Sequence, residues 1–458
     1  MTTRIKAVKC PHCGSEKHTQ TAEKRFQCKS CGTEFFLDDD DININVKHQF
    51  DFGNASKGTE TGGSLQGNIQ KMVLLIVFAP LIVMSLIVGV SMFSNSHIGS
   101  SSERETVEVS ERSIWIVPML SKGKMCIFYL VDRNYRVEYG KDKSQYTDGY
   151  YYGFRDAQTG EVLTDQMLLS EEDAENYAEY SPSRSAMRYF HQARRWYMVV
   201  PGHFIYEIDP DAHTMRDVSN SLFEKKPPMS TGLSMAKFID RNNGEGFLVS
   251  NNMAESYYYF PATDRLYTKE AFDYACKLPP GELNGEYRDS TYYKLQCVNV
   301  NENTHAGGKL RLWKLSFKFH LGDPQDAEYF SYDMNYQWDA DKRLIDAAPI
   351  TDWFTGFDAQ LVYGDARYLL LAYHANVSKD APTVLQLRNT RGTVLWVRPM
   401  DGRIEITNAA REGKKIWFKG ETNKRHAANE THCCNVDLTD GNWKRCYRIE
   451  SEYEIKAQ

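Results

Sequence analysis

The stretch "FRDAQTGEVLTDQ" at residues 154–166 decides how the larger part of this chain folds. It places a turn rich in Asp, Thr and Gly between two runs suited to β-strands, which is the pattern of a β-hairpin. Similar stretches begin at residues 206, 258, 336, 385 and 434, as in "YEIDPDAHTMRDV" and "CNVDLTDGNWKRC". The sequence therefore predicts one kind of hairpin that recurs along a large β domain.

The spacing of these hairpins gives the length of the repeat. The turns fall at Asp156, Asp209, Pro261, Asp339, Asn389 and Asp437, at intervals of 53, 52, 78, 50 and 48 residues. A period near 50 residues is typical of a four-stranded β-propeller blade. We therefore expect residues 113–458 to form an all-β propeller of six or seven blades. An irregular β-sandwich, whose hairpins also use such turns, is the alternative.

Two of the turns carry a family resemblance. Written as "DAQTGEVL" and "NTRGTVLW", they resemble the pyrroloquinoline-quinone-type propeller repeat. That resemblance implies a scaffold shared by quinoprotein enzymes and by assembly proteins without catalytic activity. Abundant aromatic residues, with 28 Tyr and 22 Phe, agree with an all-β domain because aromatic side chains favour strands.

Near the start of the chain, "CPHCGSEKHTQTAEKRFQCKSC" at residues 10–31 contains two Cys-x-x-Cys pairs. Zinc takes four ligands tetrahedrally, and each pair can occupy two of the corners. The predicted zinc ligands are Cys10, Cys13, Cys28 and Cys31. "CPHCG" and "CKSCG" resemble the two knuckles of the zinc ribbon family, over residues 7–37. A unit this short depends on its metal to fold.

A hydrophobic run without charge, "MVLLIVFAPLIVMSLIVGVSMF", occupies residues 72–93. It is long enough to cross a bilayer as one helix, which makes the lipid bilayer a predicted partner. The segments around it are a short strand with an acidic run at 38–52 and linkers at 53–71 and 94–112. The chain is therefore predicted to be a multidomain, single-pass membrane protein.

Two features orient this predicted span. Lys47, Lys57 and Lys71 precede it, whereas the first basic residue after it is Arg104, so the N-terminus is predicted to be cytoplasmic. The cysteines divide in the same sense, with predicted metal ligands before the span and six others after it. The C-terminal β domain is therefore predicted to lie outside the cytoplasm.

An extracytoplasmic location permits disulfides. Cys434 and Cys446 flank a turn near Asp440, which would bring them opposite each other on paired strands. We therefore expect a disulfide between Cys434 and Cys446, and a second between Cys276 and Cys297.

The sequence names no substrate. No zinc-protease, nucleophile-elbow, phosphate-loop or dinucleotide motif occurs in the 458 residues, and a net charge of −6 argues against nucleic acid as a partner. The favoured hypothesis is a membrane-anchored binding or scaffold protein, with protein partners on both faces of the membrane and the ribbon as an inner docking unit. The alternative is a membrane-anchored extracytoplasmic enzyme, a hydrolase or quinoprotein.

Overall fold

The computed structural model of the protein describes residues 17–22, 25–29, 34–36, 106–138, 143–177, 180–202, 204–240, 244–277, 287–299, 307–320, 344–378, 380–422 and 429–456. Antiparallel β-strands account for most of them. The α-helices within these ranges are α1 (Glu171–Glu175) and α2 (Lys269–Lys277), and single 3-10 turns lie at Pro182–Arg184 and Pro227–Met229. The described residues up to residue 36 and those between 108 and 453 belong to one compact unit.

A small antiparallel sheet lies near the N-terminus. Its strands are β1 (His18–Ala22), β2 (Arg25–Cys28) and β3 (Glu34–Phe36), hydrogen-bonded in chain order.

A five-stranded sheet begins the large β domain. Its order is β28-β4-β5-β6-β7, with β4 (Thr106–Ser121), β5 (Lys124–Arg136), β6 (Gly149–Asp156), β7 (Val162–Ser170) and β28 (Glu452–Lys456). The last strand of the chain thus belongs to the same sheet as the first strand of the domain. Strand β7 lies at one edge of this sheet.

Five four-stranded sheets follow, each built from strands that are neighbours along the chain. The first two contain β8 (Ala186–Phe190), β9 (Arg195–Val200), β10 (Phe204–Asp209) and β11 (Thr214–Asp217), then β12 (Leu233–Phe238), β13 (Phe247–Asn251), β14 (Ser256–Phe260) and β15 (Arg265–Thr268). The third contains β16 (Tyr287–Asn299), β17 (Gly307–His320), β18 (Leu344–Pro349) and β19 (Phe354–Thr355), of which β18 and β19 both pair with β17. The last two contain β20 (Phe357–Gly364), β21 (Tyr368–His374), β22 (Thr383–Asn389) and β23 (Val394–Pro399), then β24 (Ile404–Glu412), β25 (Lys415–Thr422), β26 (Glu430–Asp437) and β27 (Trp443–Ile449).

The hairpin turns lie where the repeated sequence pattern places them. The Asp156 carboxylate accepts hydrogen bonds from the backbone N–H groups of Gln158 and Thr159 at 2.9 and 2.8 Å, which closes the turn between β6 and β7. Asp209, Asn389 and Asp437 accept equivalent bonds in the turns before β11, β23 and β27. The turn at Pro261 joins β14 to β15, and Asp339 lies outside the described residues.

Apolar faces of successive sheets pack against one another. Phe128 and Phe154 of the first sheet belong to one buried cluster with Met198 and Val200 of the second. Such contacts remove large side chains from water, and a fully buried Phe or Leu contributes about 1.5–3 kcal/mol. The sheets are therefore held by shared cores as well as by strand pairing.

The predicted fold class is wrong. The described strands form seven separate sheets, and neither a closed barrel nor a propeller is detected among them. The roughly 50-residue repeat correctly reflects local hairpins, because a turn pattern specifies pairing between neighbouring strands. The repeated turn pattern carries no information on how the resulting sheets are arranged. It was therefore insufficient to predict a ring of six or seven blades.

The predicted membrane topology is also corrected. The span at 72–93 lies outside the described residues, and no helix within the described ranges combines the length and apolar content that crossing a bilayer requires. The single-pass location, with a cytoplasmic N-terminus and an outer β domain, therefore has no support. Cys28 of β2 lies in one buried cluster with Leu312 and Leu371 of the large domain, a contact that a bilayer between them would prevent.

Candidate functional site

The predicted zinc ligands are only partly visible. Cys10, Cys13 and Cys31 lie outside the described residues, and no group of His, Cys, Asp and Glu within the described ranges could hold a metal ion. Cys28 is the one predicted ligand within the described residues, and it is buried in an apolar cluster. Zinc binding by this set therefore stays a prediction, and the described structure contributes no metal site.

The expected disulfides are absent among the described cysteines. Cys434 and Cys446 are thiols, and so is Cys297 on β16, whose sulfur lies 4.0 Å from the carbonyl oxygen of Ala359. Cys276 lies on α2. Both predicted pairs, Cys434–Cys446 and Cys276–Cys297, are therefore corrected, and the cysteine argument for an outer location loses its basis.

A β-bulge explains why Cys434 and Cys446 do not face each other. Cys433 is opposite Tyr447 and Cys434 is opposite Arg445, so Cys446 is an extra residue on β27. Bulges of this kind turn a side chain toward a new neighbour. The result is that Cys446 packs beside Cys433, in a cluster with Tyr447, whereas Cys434 lies in a different core.

The Cys446 thiol has an unusual environment. Its sulfur accepts a hydrogen bond of 3.0 Å from the Asn435 side-chain N–H, and Cys446 packs against the buried cluster that contains Cys433. The neighbouring Cys433 thiol and the charges of Lys444 and Lys415 outweigh burial and hold the pKa of Cys446 below its ordinary value. Burial raises the pKa of Cys434 to about 12. Neighbouring cysteines thus differ sharply in acidity.

A second candidate feature is the surface of the edge strand β7. Val162, Leu163 and Met167 are 47, 42 and 47% exposed, which places three of the ten exposed large hydrophobic residues of the described structure on this strand. Within those residues β7 pairs only with β6. Bulges at Leu163 and Leu168 delimit a regular stretch, residues 164–167, between them. An unpaired edge with exposed apolar side chains favours association with another strand.

Acidic residues flank this edge. Glu161 precedes β7, and exposed carboxylates follow it on α1, namely Glu171, Glu172, Asp173 and Glu175. Ser170 caps α1 by accepting a hydrogen bond of 2.9 Å from the backbone N–H of Asp173. The cap fixes the acidic turn directly at the end of the strand.

An ionic network centred on the buried Arg133 holds β7 to the interior of its sheet. Arg133 of β5 forms two hydrogen bonds to Asp165, of 2.8 and 2.9 Å, and a third of 2.7 Å to the buried Glu111 of β4. The hydroxyl of Tyr129 donates to Asp165 at 2.7 Å, and that of Tyr453 donates to Glu111 at 2.9 Å. Burial acts to raise the pKa of Asp165, but Arg133 and Tyr129 hold it below its ordinary value.

Sequence reasoning missed the residues that organise both features. Cys433 is not among the residues predicted from the sequence, because a bulge cannot be read from turn spacing. Arg133 and Asp165 occupy strands that otherwise show many apolar or aromatic residues. A charged residue in the middle of such a strand is the signal that could have indicated a buried ion pair.

Comparison with known proteins identifies no family. No protein-family model matches the chain, and no curated protein matches it. Solved structures with weak similarity include the AtxE2 isopeptidase, with a TM-score of 0.34 and 10% sequence identity over 76% of this chain and 53% of that one. The dihydro-heme d1 dehydrogenase NirN has a TM-score of 0.22 and 10% identity over 74% of this chain and 68% of that one. Virginiamycin B lyase from Staphylococcus aureus is a third, with a TM-score of 0.20 and 10% identity over 69% of this chain and 96% of that one.

Of these structures, NirN and virginiamycin B lyase are β-propeller-like proteins. This chain spans about half the length of the AtxE2 isopeptidase. At these TM-scores the similarities support no conclusion on activity.

Proposed function

We propose that this protein is a binding or scaffold protein that holds an extended segment of another protein along β7, as an added strand. The observation that carries the proposal is the concentration of Val162, Leu163 and Met167 on an edge strand whose outer side pairs with no described strand. Strand addition uses backbone hydrogen bonds for affinity and alternate side chains for specificity.

The charges around β7 indicate the chemistry of the partner. Glu161 precedes the strand and the acidic turn of α1 follows it, so the partner segment should carry Lys or Arg. Complementary charge accelerates association and fixes register. We therefore expect an extended peptide in which apolar residues alternate with basic ones.

The network behind β7 supports a binding role because it limits motion of the strand. Asp165, at the centre of the regular stretch, is clamped by Arg133 and Tyr129. An edge that is already ordered loses little conformational entropy when a partner pairs with it. The zinc prediction for the N-terminal cysteines is independent of this proposal.

The direct test is binding of a short fluorescent peptide in which valine and lysine alternate, measured by anisotropy with the full chain. We expect saturable binding, and Leu163→Ser or Met167→Gln should weaken it about tenfold or more, because each removes apolar contact area without adding charge that would attract the lysines. Met253→Gln is the matched control. Met253 is 68% exposed but lies in the turn between β13 and β14.

A second peptide separates strand pairing from charge attraction. The same composition with a central proline retains the charge but cannot continue a ladder, and it should bind weakly. Equal binding of both peptides, or equal loss in the Met167 and Met253 variants, would contradict the proposal.

A further inference from the structure

The thiols of Cys446 and Cys433 lie together where the β24–β27 sheet packs on the first sheet of the β domain. Cys433 is fully buried among Ile116, Ile127 and Trp417, and Cys446 is half-buried beside it. The bulge at this point of β27 creates the juxtaposition, since a regular ladder would turn Cys446 elsewhere.

The two sulfurs have different hydrogen-bond partners. The S–H of Cys433 donates to the carbonyl oxygen of Ala157 at 3.3 Å. The Cys446 sulfur instead accepts from the Asn435 side-chain N–H at 3.0 Å. A donor aimed at a sulfur stabilises its thiolate form.

Positive charge near Cys446 also stabilises its thiolate form. Lys444 of β27 and Lys415 of β25 both favour the ionised form of Cys446, and the neighbouring Cys433 thiol is the largest influence on its pKa. Cys433 is affected in the opposite direction, so its pKa lies well above its ordinary value. The pair therefore combines one nucleophilic thiolate with one protonated thiol.

We propose that Cys446 and Cys433 are a reactive thiol pair that undergoes exchange with low-molecular-weight disulfides, with Cys446 as the attacking sulfur and Cys433 as the resolving one. Nothing in the edge-strand binding role requires this activity, so either can fail without the other.

The exchange takes place in two steps that balance. The Cys446 thiolate attacks one sulfur of a disulfide RSSR, forming a Cys446–SR bond and releasing RS⁻. The Cys433 thiol then loses its proton to the released thiolate and attacks the Cys446 sulfur, expelling the second RS⁻. The two protein thiols are oxidised by two electrons, and RSSR is reduced to two RSH molecules. One RSH carries the Cys433 proton, and the other takes from water the proton that Cys446 released when it ionised.

The first test is the rate of alkylation of each cysteine in the full chain by limiting iodoacetamide at neutral pH, read by peptide mass mapping. Cys446 should react about tenfold or more faster than Cys297, which is also half-buried but whose pKa is raised by burial. Asn435→Asp, a change of nearly equal volume, should slow Cys446 by placing a negative charge at its sulfur. Equal rates for Cys446 and Cys297 in the wild-type protein would overturn the proposal.

The second test uses oxidised glutathione as the disulfide. The wild-type chain should release two glutathione molecules and link Cys433 to Cys446, whereas Cys433→Ser should release one and retain a glutathione on Cys446. Cys434→Ser is the matched control, because Cys434 is equally buried but belongs to a different core, and it should behave as wild type. A Cys433→Ser chain that retains no glutathione, or a Cys434→Ser chain that does, would overturn the assignment of roles.

Discussion

Arg133 on β5 binds the carboxylate of Asp165 on β7 through two N–H···O hydrogen bonds, of 2.8 and 2.9 Å, across the intervening strand β6. The Arg133 guanidinium carbon lies over the ring of Tyr151, 4.2 Å from the ring centroid. Arg133 also binds Glu111, so one buried cation joins β4, β5 and β7. The edge strand that we assign to binding is therefore tied to the centre of its sheet.

Replacing Arg133 should destabilise this sheet. Arg133→Ala leaves the buried Glu111 carboxylate without its cation, and breaking a buried ion pair on one side costs about 3–5 kcal/mol. The measurement is urea unfolding followed by tryptophan fluorescence, to which Trp115 in the same sheet contributes. Arg112→Ala is the control, because the Arg112–Asp132 pair is exposed and such pairs contribute about 0–1 kcal/mol. Equal losses for the two variants would contradict the account.

Acid should weaken the same contact. The pKa of Asp165 is lower in the folded protein than its ordinary value, so its ion pair contributes stability above the unfolded pKa of about 3.9. This contribution disappears as the pH falls through the folded pKa. We expect Asp165→Asn to be less stable than wild type near pH 6, and the difference should shrink as the pH falls below about 4. A difference that stays constant over this range would rule out the pair as its cause.

Gly160, in the turn that leads into β7, should not tolerate a methyl group. Its φ is +78°, and a Cβ atom there would lie 2.9 Å from the Tyr447 ring. Gly160→Ala therefore combines backbone strain of about 1–2 kcal/mol with a steric clash of about 1–3 kcal/mol. Gly123→Ala is the matched control, since Gly123 has a φ of +83° with no atom within 4 Å of the added Cβ. If the two variants unfold at the same urea concentration, the Tyr447 ring is not in close contact with Gly160.

The sequence predicted local pairing well and the site poorly, for identifiable reasons. Turns at Asp156, Asp209, Asn389 and Asp437 were readable because an Asx side chain closes its own turn within a few residues. The bulge opposite Cys433 depends on the fit between two strands. No turn spacing encodes such a fit, so Cys446 was assigned to Cys434 instead.

The exposure of the β7 side chains could not be predicted from the sequence either. The stretch "VLTDQML" of β7 has apolar pairs at both ends, of residue types that are usually buried, yet Val162, Leu163 and Met167 are all exposed. Burial of an edge strand depends on which elements cover it, and the covering elements are distant in sequence. The binding surface could therefore be found only once the sheets were assembled.

Hydrogen exchange of the full chain, with and without the alternating valine–lysine peptide, tests the central claim most directly. If the peptide adds to the sheet, the backbone amides of residues 164–167 that face outward should become protected, and the proline-containing peptide should leave them unchanged. Protection confined to another strand, such as the β23 edge that carries exposed Leu395, or no change in β7 at saturating peptide, would contradict the account.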